Sequence, residues 1–190
     1  TAWIAEGDAS QNPEQVWARC YSKSVDGGTS ATFHAQCDGK GPTVTVAKLS
    51  TGKVVGGYAG VSWASSGDHT SSLTNFLFSL SNGFRHALNA GQEEYAQWHA
   101  SSSGPTFGTG TDLSIKNDMN SGWCNLGDTY ACRVGADTRV HQCTSGDCAC
   151  QNDFCGTYDG WNVDELEVWW TGPRPYFPNS AIAVGAYGTW

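Results

Sequence analysis

Charged residues are scarce in this 190-residue chain, and basic residues are the scarcer kind. They make up 15% of the sequence, with 10 Lys and Arg against 18 Asp and Glu, whereas about 25% is usual in globular domains. The net charge of −8 argues against nucleic acid and anionic membranes as partners, because both require basic patches. No apolar run approaches the roughly 18 residues of a spanning helix, so we expect no membrane span.

The sequence also lacks internal repeats, heptads and low-complexity linkers, which favours a single domain at this length. It contains no N-x-S/T acceptor for N-glycosylation. No start methionine, basic n-region or apolar h-region opens the chain, as we expect of a mature chain after removal of a signal peptide. An apolar share of 39% and nine Trp argue against disorder.

Cysteines, by contrast, are abundant and unevenly distributed. Six of the eight lie between Cys124 and Cys155, and an even number in one stretch is typical of disulfides in an oxidising compartment. The alternative is a zinc site with His141, but Cys148-Ala-Cys150 is too tight for the usual zinc knuckle. We therefore expect a secreted protein whose cysteines form disulfides: Cys20, Cys37, Cys124, Cys132, Cys143, Cys148, Cys150 and Cys155.

Strand patterns dominate, and they predict a mainly β (α+β) protein of antiparallel strands with small helical additions. The strand that begins at Val54 is expected to form a hairpin with the strand before it and to end at Gly56-Gly57. Ser30 is expected to cap a short helix that Gly39 terminates, and a weaker helical pattern begins at Arg85. The strands are expected at residues 43–49, 54–55, 75–80 and 163–170.

The last of these strands holds the most suggestive pair of carboxylates. Alternation places Glu165, Glu167 and Trp169 on one face and Leu166, Val168 and Trp170 on the other, towards the core. The two carboxylates then lie roughly 6.5–7 Å apart at the backbone, near the range used for glycoside hydrolysis. The alternative, which we favour, is a solvated face whose acids pair with a cross-strand Lys or Arg. Whether the protein is an enzyme stays open, with binding favoured over catalysis.

Tryptophans and oxygen-bearing side chains supply the other candidate sites. Indoles in loops often stack on sugars or partners, and Trp98, Trp123 and Trp161 lie in such contexts, with Trp190 near the terminus. Trp169 is a further ligand-binding candidate, because it lies on the same strand face as the two glutamates. A Gly-bearing loop holds oxygen ligands suited to Ca²⁺, although its spacing is not that of an EF-hand and an ordinary polar turn is favoured. The calcium candidates are Asp112, Asp118 and Asn120; no other cofactor is expected.

Ordered sequence blocks resemble the TLDc domain family, which includes oxidation-resistance and nuclear-receptor-coactivator-type proteins. They cover roughly residues 16–170: Trp17-Ala-Arg-Cys-Tyr-Ser22, Asp26-Gly27, Phe33-His-Ala-Gln-Cys-Asp-Gly-Lys-Gly-Pro-Thr43, Gly56-Gly-Tyr58, Trp63, Ser65-Ser-Gly67, Phe76-Leu-Phe-Ser-Leu80, Gly104-Pro-Thr-Phe-Gly108, Asp112-Leu113, Asn125-Leu-Gly127, Tyr130 and Val163-Asp-Glu-Leu-Glu-Val168.

The resemblance implies a two-sheet antiparallel β-sandwich with a few short helices, and it implies no catalytic residues. Intracellular relatives are associated with oxidative-stress protection and with the vacuolar proton pump. Two departures favour a secreted relative over such a role: a cysteine-rich insertion at about 124–155 and a C-terminal tail, 171–190, expected to pack on the domain. Residues 1–15 form an N-terminal extension. Within the family block, Cys37 is expected to pair with Cys20.

The sequence thus predicts a secreted, disulfide-stabilised TLDc-type binding module. Its expected partner is a glycan or a protein ligand, with carbohydrate favoured because the loops are rich in aromatic residues and the charge is low. The alternatives are a glycoside hydrolase that uses Glu165 and Glu167, and a stress-protective or proton-pump-binding protein like the intracellular relatives. The oligomeric state stays open.

Overall fold

The computed structural model describes residues 16–132 and 153–172, which form two antiparallel β-sheets. The predicted N-terminal extension, most of the C-terminal tail and most of the cysteine-rich insertion lie outside these residues. The elements, in chain order, are β1 Trp17–Ser22, α1 Lys23–Asp26, α2 Ser30–Cys37, β2 Thr43–Leu49, β3 Val54–Ala59, β4 His69–Thr70, β5 Phe76–Ser79, β6 Phe84–Ala87, a 3₁₀ turn Glu93–Tyr95, β7 Gln97–Trp98, β8 Ser103–Phe107, β9 Leu113–Lys116, β10 Gly122–Trp123 and β11 Val163–Thr171.

The strand order of the first sheet, six strands wide, is β1-β11-β2-β3-β5-β6, and that of the second, five strands wide, is β10-β9-β8-β7-β4. Alternation decides which side chains reach the interior. In β2, Thr45 and Ala47 are buried while Val44 and Val46 are only partly so. The prediction of a two-sheet, mainly β sandwich with a few short helices is confirmed.

Two adjacent glycines let aromatic rings approach both faces of the six-stranded sheet. A Cβ on Gly57 would lie 2.6 Å from the Phe107 ring of the other sheet, and one on Gly56 would lie 2.6 Å from Phe78. The prediction that these glycines end the β3 strand is therefore wrong. They lie inside it, because the space of their missing side chains is filled by rings.

Aromatic side chains fill the interior between the sheets. Trp63 contacts Phe33 and Phe107 edge to face, with ring centroids 5.7 and 5.4 Å apart. The indole N–H of Trp63 donates to the Thr43 hydroxyl at 2.9 Å, so the one polar atom of this buried ring is satisfied. Loop and strand residues far apart in the chain therefore share one core.

One of the two predicted helices is present in the structure and the other is not. The first is confirmed as α2, but its N-cap is Thr29, whose hydroxyl accepts a bond from the Thr32 backbone N–H at 3.2 Å. Gly39, at φ 71°, follows the helix end as expected. The weaker prediction is wrong: Arg85 lies in β6, opposite Phe78 of β5. Pairing with a buried strand overrides a short helical pattern.

Disulfides close two loops among the described residues. The expected bond between Cys20 and Cys37 is present and joins β1 to α2. A second bond joins Cys124 to Cys155, within the predicted cysteine-rich region. Cys132 is also disulfide-bonded, whereas the predictions for Cys143, Cys148 and Cys150 fall outside the described residues. None of the helices described here is long and apolar enough to cross a membrane.

Candidate functional site

A row of five residues crosses the outer face of the five-stranded sheet. Strand pairing places His69 opposite Trp98, Thr106 opposite Ser114, and Ser114 opposite Trp123. Trp98 follows Gln97, which pairs with the core residue Phe107, so Trp98 lies on the outer face beside Thr106. We call these residues the aromatic row: His69, Trp98, Thr106, Ser114 and Trp123.

The aromatic members provide the solvent-facing surface of this row. Thr106 and Ser114 are 2% and 3% exposed, and their hydroxyls share a hydrogen bond of 3.0 Å. Trp98 and Trp123 are half-buried. The row therefore presents an indole from strand β7 and another from strand β10, with two small side chains between them.

Neighbouring side chains fix the orientation of the rings in the row. The His69 ring lies 4.7 Å from Trp98 and 5.3 Å, edge to face, from Tyr95 in the 3₁₀ turn. At the other end, the Lys116 ammonium lies 4.1 Å from the centre of the Trp123 ring. A cation over an indole face is favourable, so both ends of the row are supported by packing.

The other two predicted ligand-binding tryptophans lie elsewhere. Trp161 is 1% exposed and packs in the core. Its ring lies so close to Gly122 that a Cβ added there would be only 2.2 Å away. Its indole is therefore not available at the surface. Trp169 lies on the outer face of the six-stranded sheet, opposite Val44 of β2, and its N–H donates to Glu167 at 3.2 Å. No single small ligand would contact all four residues.

The carboxylates of Glu165 and Glu167 do lie on one face of β11, and Leu166 and Val168 are buried on the other. Glu167 pairs with Arg19 of the adjacent strand at 2.8 Å, the kind of cross-strand partner that the favoured alternative requires. Burial raises the pKa of Glu165, but hydrogen bonds from Ser24 and the Leu166 N–H outweigh it and hold this pKa below its ordinary value. A general acid in glycoside hydrolysis needs the opposite shift; catalysis by this pair stays a prediction without structural support.

Asp112 has a different environment from the one that the calcium prediction assumes. It is fully buried, and its carboxylate accepts backbone N–H bonds from Gly127, Thr129 and Tyr130 at 3.0–3.1 Å. Burial raises its pKa to about 7, although these three donors lower it. Asp112 thereby holds the connection that follows β10 against the start of β9.

The other two calcium candidates lie in the exposed turn between β9 and β10. The Asp118 carboxylate accepts bonds from the backbone N–H groups of Asn120 and Ser121 at 2.9 and 3.1 Å. The Asn120 side-chain oxygen accepts from Lys23 at 2.8 Å. Within residues 16–132 and 153–172, no group of three or more His, Cys, Asp or Glu side chains is placed to hold a metal ion. Calcium binding stays untested.

Three members of the row were absent from the sequence-based candidates: His69, Thr106 and Ser114. Their strands are two to five residues long and carry no strong alternating pattern. The only sequence signal was the block Gly104-Pro-Thr-Phe-Gly108, which contains Thr106. Pairing across the sheet, not sequence proximity, brings these residues to Trp98 and Trp123.

Comparison with known proteins places most of the chain in one family. A family model described as the TLDc domain matches residues 3–172. Among curated proteins, none matches this chain significantly.

Proposed function

This chain belongs to the TLDc domain family, and we propose that it acts as an extracellular, disulfide-stabilised module that binds carbohydrate without catalysis. The observation that supports this most directly is the aromatic row. It sets two half-buried indoles on one face of the five-stranded sheet. Side chains held on paired strands need little ordering when a ligand binds, which favours affinity.

The chemistry of the row suits sugars better than charged or wholly apolar ligands. One face of a sugar ring is largely apolar C–H surface, which packs on an indole, and its edge carries hydroxyls. The indole N–H groups of Trp98 and Trp123 are donors for such hydroxyls. His69 is the ionisable member of the row, and the Lys116 ammonium lies over one face of the Trp123 ring. A polyhydroxylated ligand would therefore contact Trp123 beside this ammonium.

Disulfides support the extracellular part of the proposal. Two bonds among the described residues, and a third that involves Cys132, fit an oxidising compartment. The stress-protective and proton-pump roles of intracellular relatives would place these cysteines in a reducing environment, where such bonds are rare. We therefore favour secretion over those roles.

The test is binding of the purified protein to a panel of neutral polysaccharides, compared with Trp98→Ala and Trp123→Ala. We expect each substitution to raise Kd about tenfold, because losing the burial of part of an indole is worth on the order of 1–2 kcal/mol. Trp17→Ala is the matched control, since Trp17 is a half-buried indole in β1 of the other sheet. Circular dichroism checks that all variants are folded.

Two results would overturn the proposal. One is no binding to any sugar in a diverse panel. The other is binding that Trp169→Ala abolishes while Trp98→Ala and Trp123→Ala leave it intact, because the ligand would then lie on the six-stranded sheet.

A further inference from the structure

The outer face of the six-stranded sheet carries an aromatic cluster that is withdrawn from solvent. Its members, Tyr58, Phe76 and Phe78, are 0%, 1% and 5% exposed and form a group separate from the core between the sheets. We call them the outer cluster. We infer that residues 3–15 of this chain dock over the outer cluster, with Trp3 and Ile4 against its rings.

Strand register places the outer cluster on the face that points away from the other sheet. Tyr58 of β3 lies opposite Phe76 of β5, and Phe78 shares the face of Phe76 two residues along the strand. Gly57, the neighbour of Tyr58, faces Phe107 of the five-stranded sheet. Successive residues of a strand point to opposite faces, so the rings of the outer cluster point outward.

Neighbours within the sheet do not account for this burial. Tyr58 stacks on Phe76 with ring centroids 5.3 Å apart, and the Arg85 guanidinium lies 4.4 Å from the centre of the Phe76 ring. On the same face of β2, however, the smaller side chains of Val44 and Val46 are only partly buried. The described helices chiefly contact β1, β8 and β11, and the other sheet lies on the opposite face. A further layer must therefore cover β3 and β5.

The chain enters the described part of the structure at a corner of this sheet. The Val16 carbonyl accepts a bond from the Gly172 N–H at 3.1 Å, and the next residue, Trp17, packs against the outer cluster. In the sheet order, β3 and β5 lie three and four strands from β1, which is about 14–19 Å. Residues 3–15, 13 in all, span up to about 43 Å when extended. They are long enough to reach the outer cluster.

The family match favours this segment over residues 173–190, which leave the sheet at the same corner. The match to the TLDc domain begins at residue 3 and ends at residue 172. The outer cluster lies within two of the sequence blocks that resemble the family, 56–58 and 76–80. A surface that belongs to the family domain is best covered by a segment of the same domain.

Composition and charge also fit the N-terminal segment. Trp3 and Ile4 supply the large apolar side chains that the rings of the outer cluster require. The segment contains no Lys or Arg, and its charged residues are Glu6, Asp8 and Glu14. Arg85 lies on the outer cluster, whereas the charged residue of segment 173–190 is Arg174. Opposite charges favour docking of the acidic segment beside Arg85.

The experiment is hydroxyl-radical labelling of the full chain, read by mass spectrometry, because these radicals modify aromatic side chains that water reaches. Trp3→Ser/Ile4→Ser is compared with the wild type and with Tyr176→Ser/Phe177→Ser, a matched loss of two large apolar side chains in the C-terminal tail. We expect labelling of the outer cluster to rise several-fold in the first variant and to stay at the wild-type level in the second. Phe107, buried between the sheets, should stay protected in both variants and shows that the fold is intact.

Photo-cross-linking tests the same contact without removing a bulky side chain. The variant Trp3→benzoylphenylalanine should cross-link to peptides that contain β3 or β5. If Trp3→Ser/Ile4→Ser unfolds, so that Phe107 is labelled as well, this cross-link decides. Cross-links to the five-stranded sheet alone would overturn the inference.

Three labelling results would also overturn it. Unchanged labelling of the outer cluster in the folded Trp3→Ser/Ile4→Ser variant would show that another part of the chain covers the rings. A rise in Tyr176→Ser/Phe177→Ser alone would assign the cover to residues 173–190. Wild-type labelling that increases on dilution would assign it to a second copy of the chain. None of these results depends on sugar binding, so each leaves the proposed function as it stands.

Discussion

Asp112 illustrates how much a single buried residue contributes to this fold. Its carboxylate accepts three backbone N–H bonds from residues 127–130, so a connection without regular structure is held at one point. Gly108 makes the approach possible, because a Cβ there would lie 2.0 Å from a carboxylate oxygen of Asp112. The loop that follows the second tryptophan of the row therefore depends on one carboxyl group.

Stability should fall as pH rises through neutrality because of Asp112. Burial raises its pKa from the ordinary 3.8 to about 7, so the folded state binds the proton more tightly than the unfolded state. The stability that this protonation contributes is complete below pH 4 and is lost as pH rises through 7, by at most about 1.4 kcal/mol per pH unit. Urea unfolding between pH 5 and 8 should show this loss in the wild type and not in Asp112→Asn.

Asp118→Asn is the matched control for this measurement. Partial burial raises the pKa of Asp118, but hydrogen bonds from Asn120 and Ser121 outweigh it and hold this pKa below its ordinary value. Its contribution is lost only as pH falls below about 4. This variant should therefore keep the wild-type slope between pH 5 and 8. Equal slopes in the wild type and Asp112→Asn would contradict the role assigned to Asp112.

Among the elements, β1 depends on an irregularity that the strand pattern does not reveal. Its pairing with β11 shifts between Arg19 and Tyr21, which makes Cys20 the extra residue of a β-bulge. Cys20 and Tyr21 are 8% and 0% exposed, so two consecutive side chains are withdrawn from solvent. The bulge thereby brings the Cys20 sulfur to Cys37 at the end of α2.

Replacing both members of this bond by alanine should lower the free energy of unfolding by about 3 kcal/mol, because the bond joins residues 17 positions apart and so restricts the unfolded chain. The measurement is urea unfolding of the wild type and Cys20→Ala/Cys37→Ala under non-reducing conditions. A single Cys20→Ala variant controls for the new free thiol at Cys37. A loss below about 1 kcal/mol would show that α2 holds β1 without the bond.

At the scale of the whole molecule, the two sheets present different outer faces. The five-stranded sheet exposes parts of Trp98 and Trp123. On the six-stranded sheet, Arg19 pairs with Glu167 at one side, and a buried cluster of Tyr58, Phe76 and Phe78 lies at the other. The shared core between the sheets couples these faces, and disulfides add covalent links at its margin.

For the whole molecule, we predict that disulfides protect all the cysteines from alkylation. In protein purified from an oxidising compartment, we expect a thiol-alkylating reagent to modify none of the eight cysteines before reduction and all of them afterwards. Mass spectrometry counts the modified sites. Protein made in a reducing cytosol should alkylate readily and melt at a lower temperature. Stable native protein with free thiols would argue for an intracellular molecule.

Much of the architecture was predictable, because a strand or helix with one buried face has apolar residues at a regular spacing along the sequence. The β2 and β11 strands, helix α2 and the inward faces of Leu166 and Val168 were all predicted from alternation and capping. Arg85 and the pair Gly56-Gly57 were misassigned. Their conformations depend on partner strands and on rings from distant residues, which local pattern does not contain.

The candidate site was less accessible to sequence reasoning for the same physical reason. Trp98 and Trp123 were identified as indoles in polar contexts, but nothing in the chain placed them in one row or removed Trp161 to the core. The sequence by itself determined the family, the alternating strands and the presence of disulfides, since each follows from residue types and their spacing along the chain. Only the tertiary structure decided which aromatic residues share a surface, because strand order and register join residues that are distant along the chain.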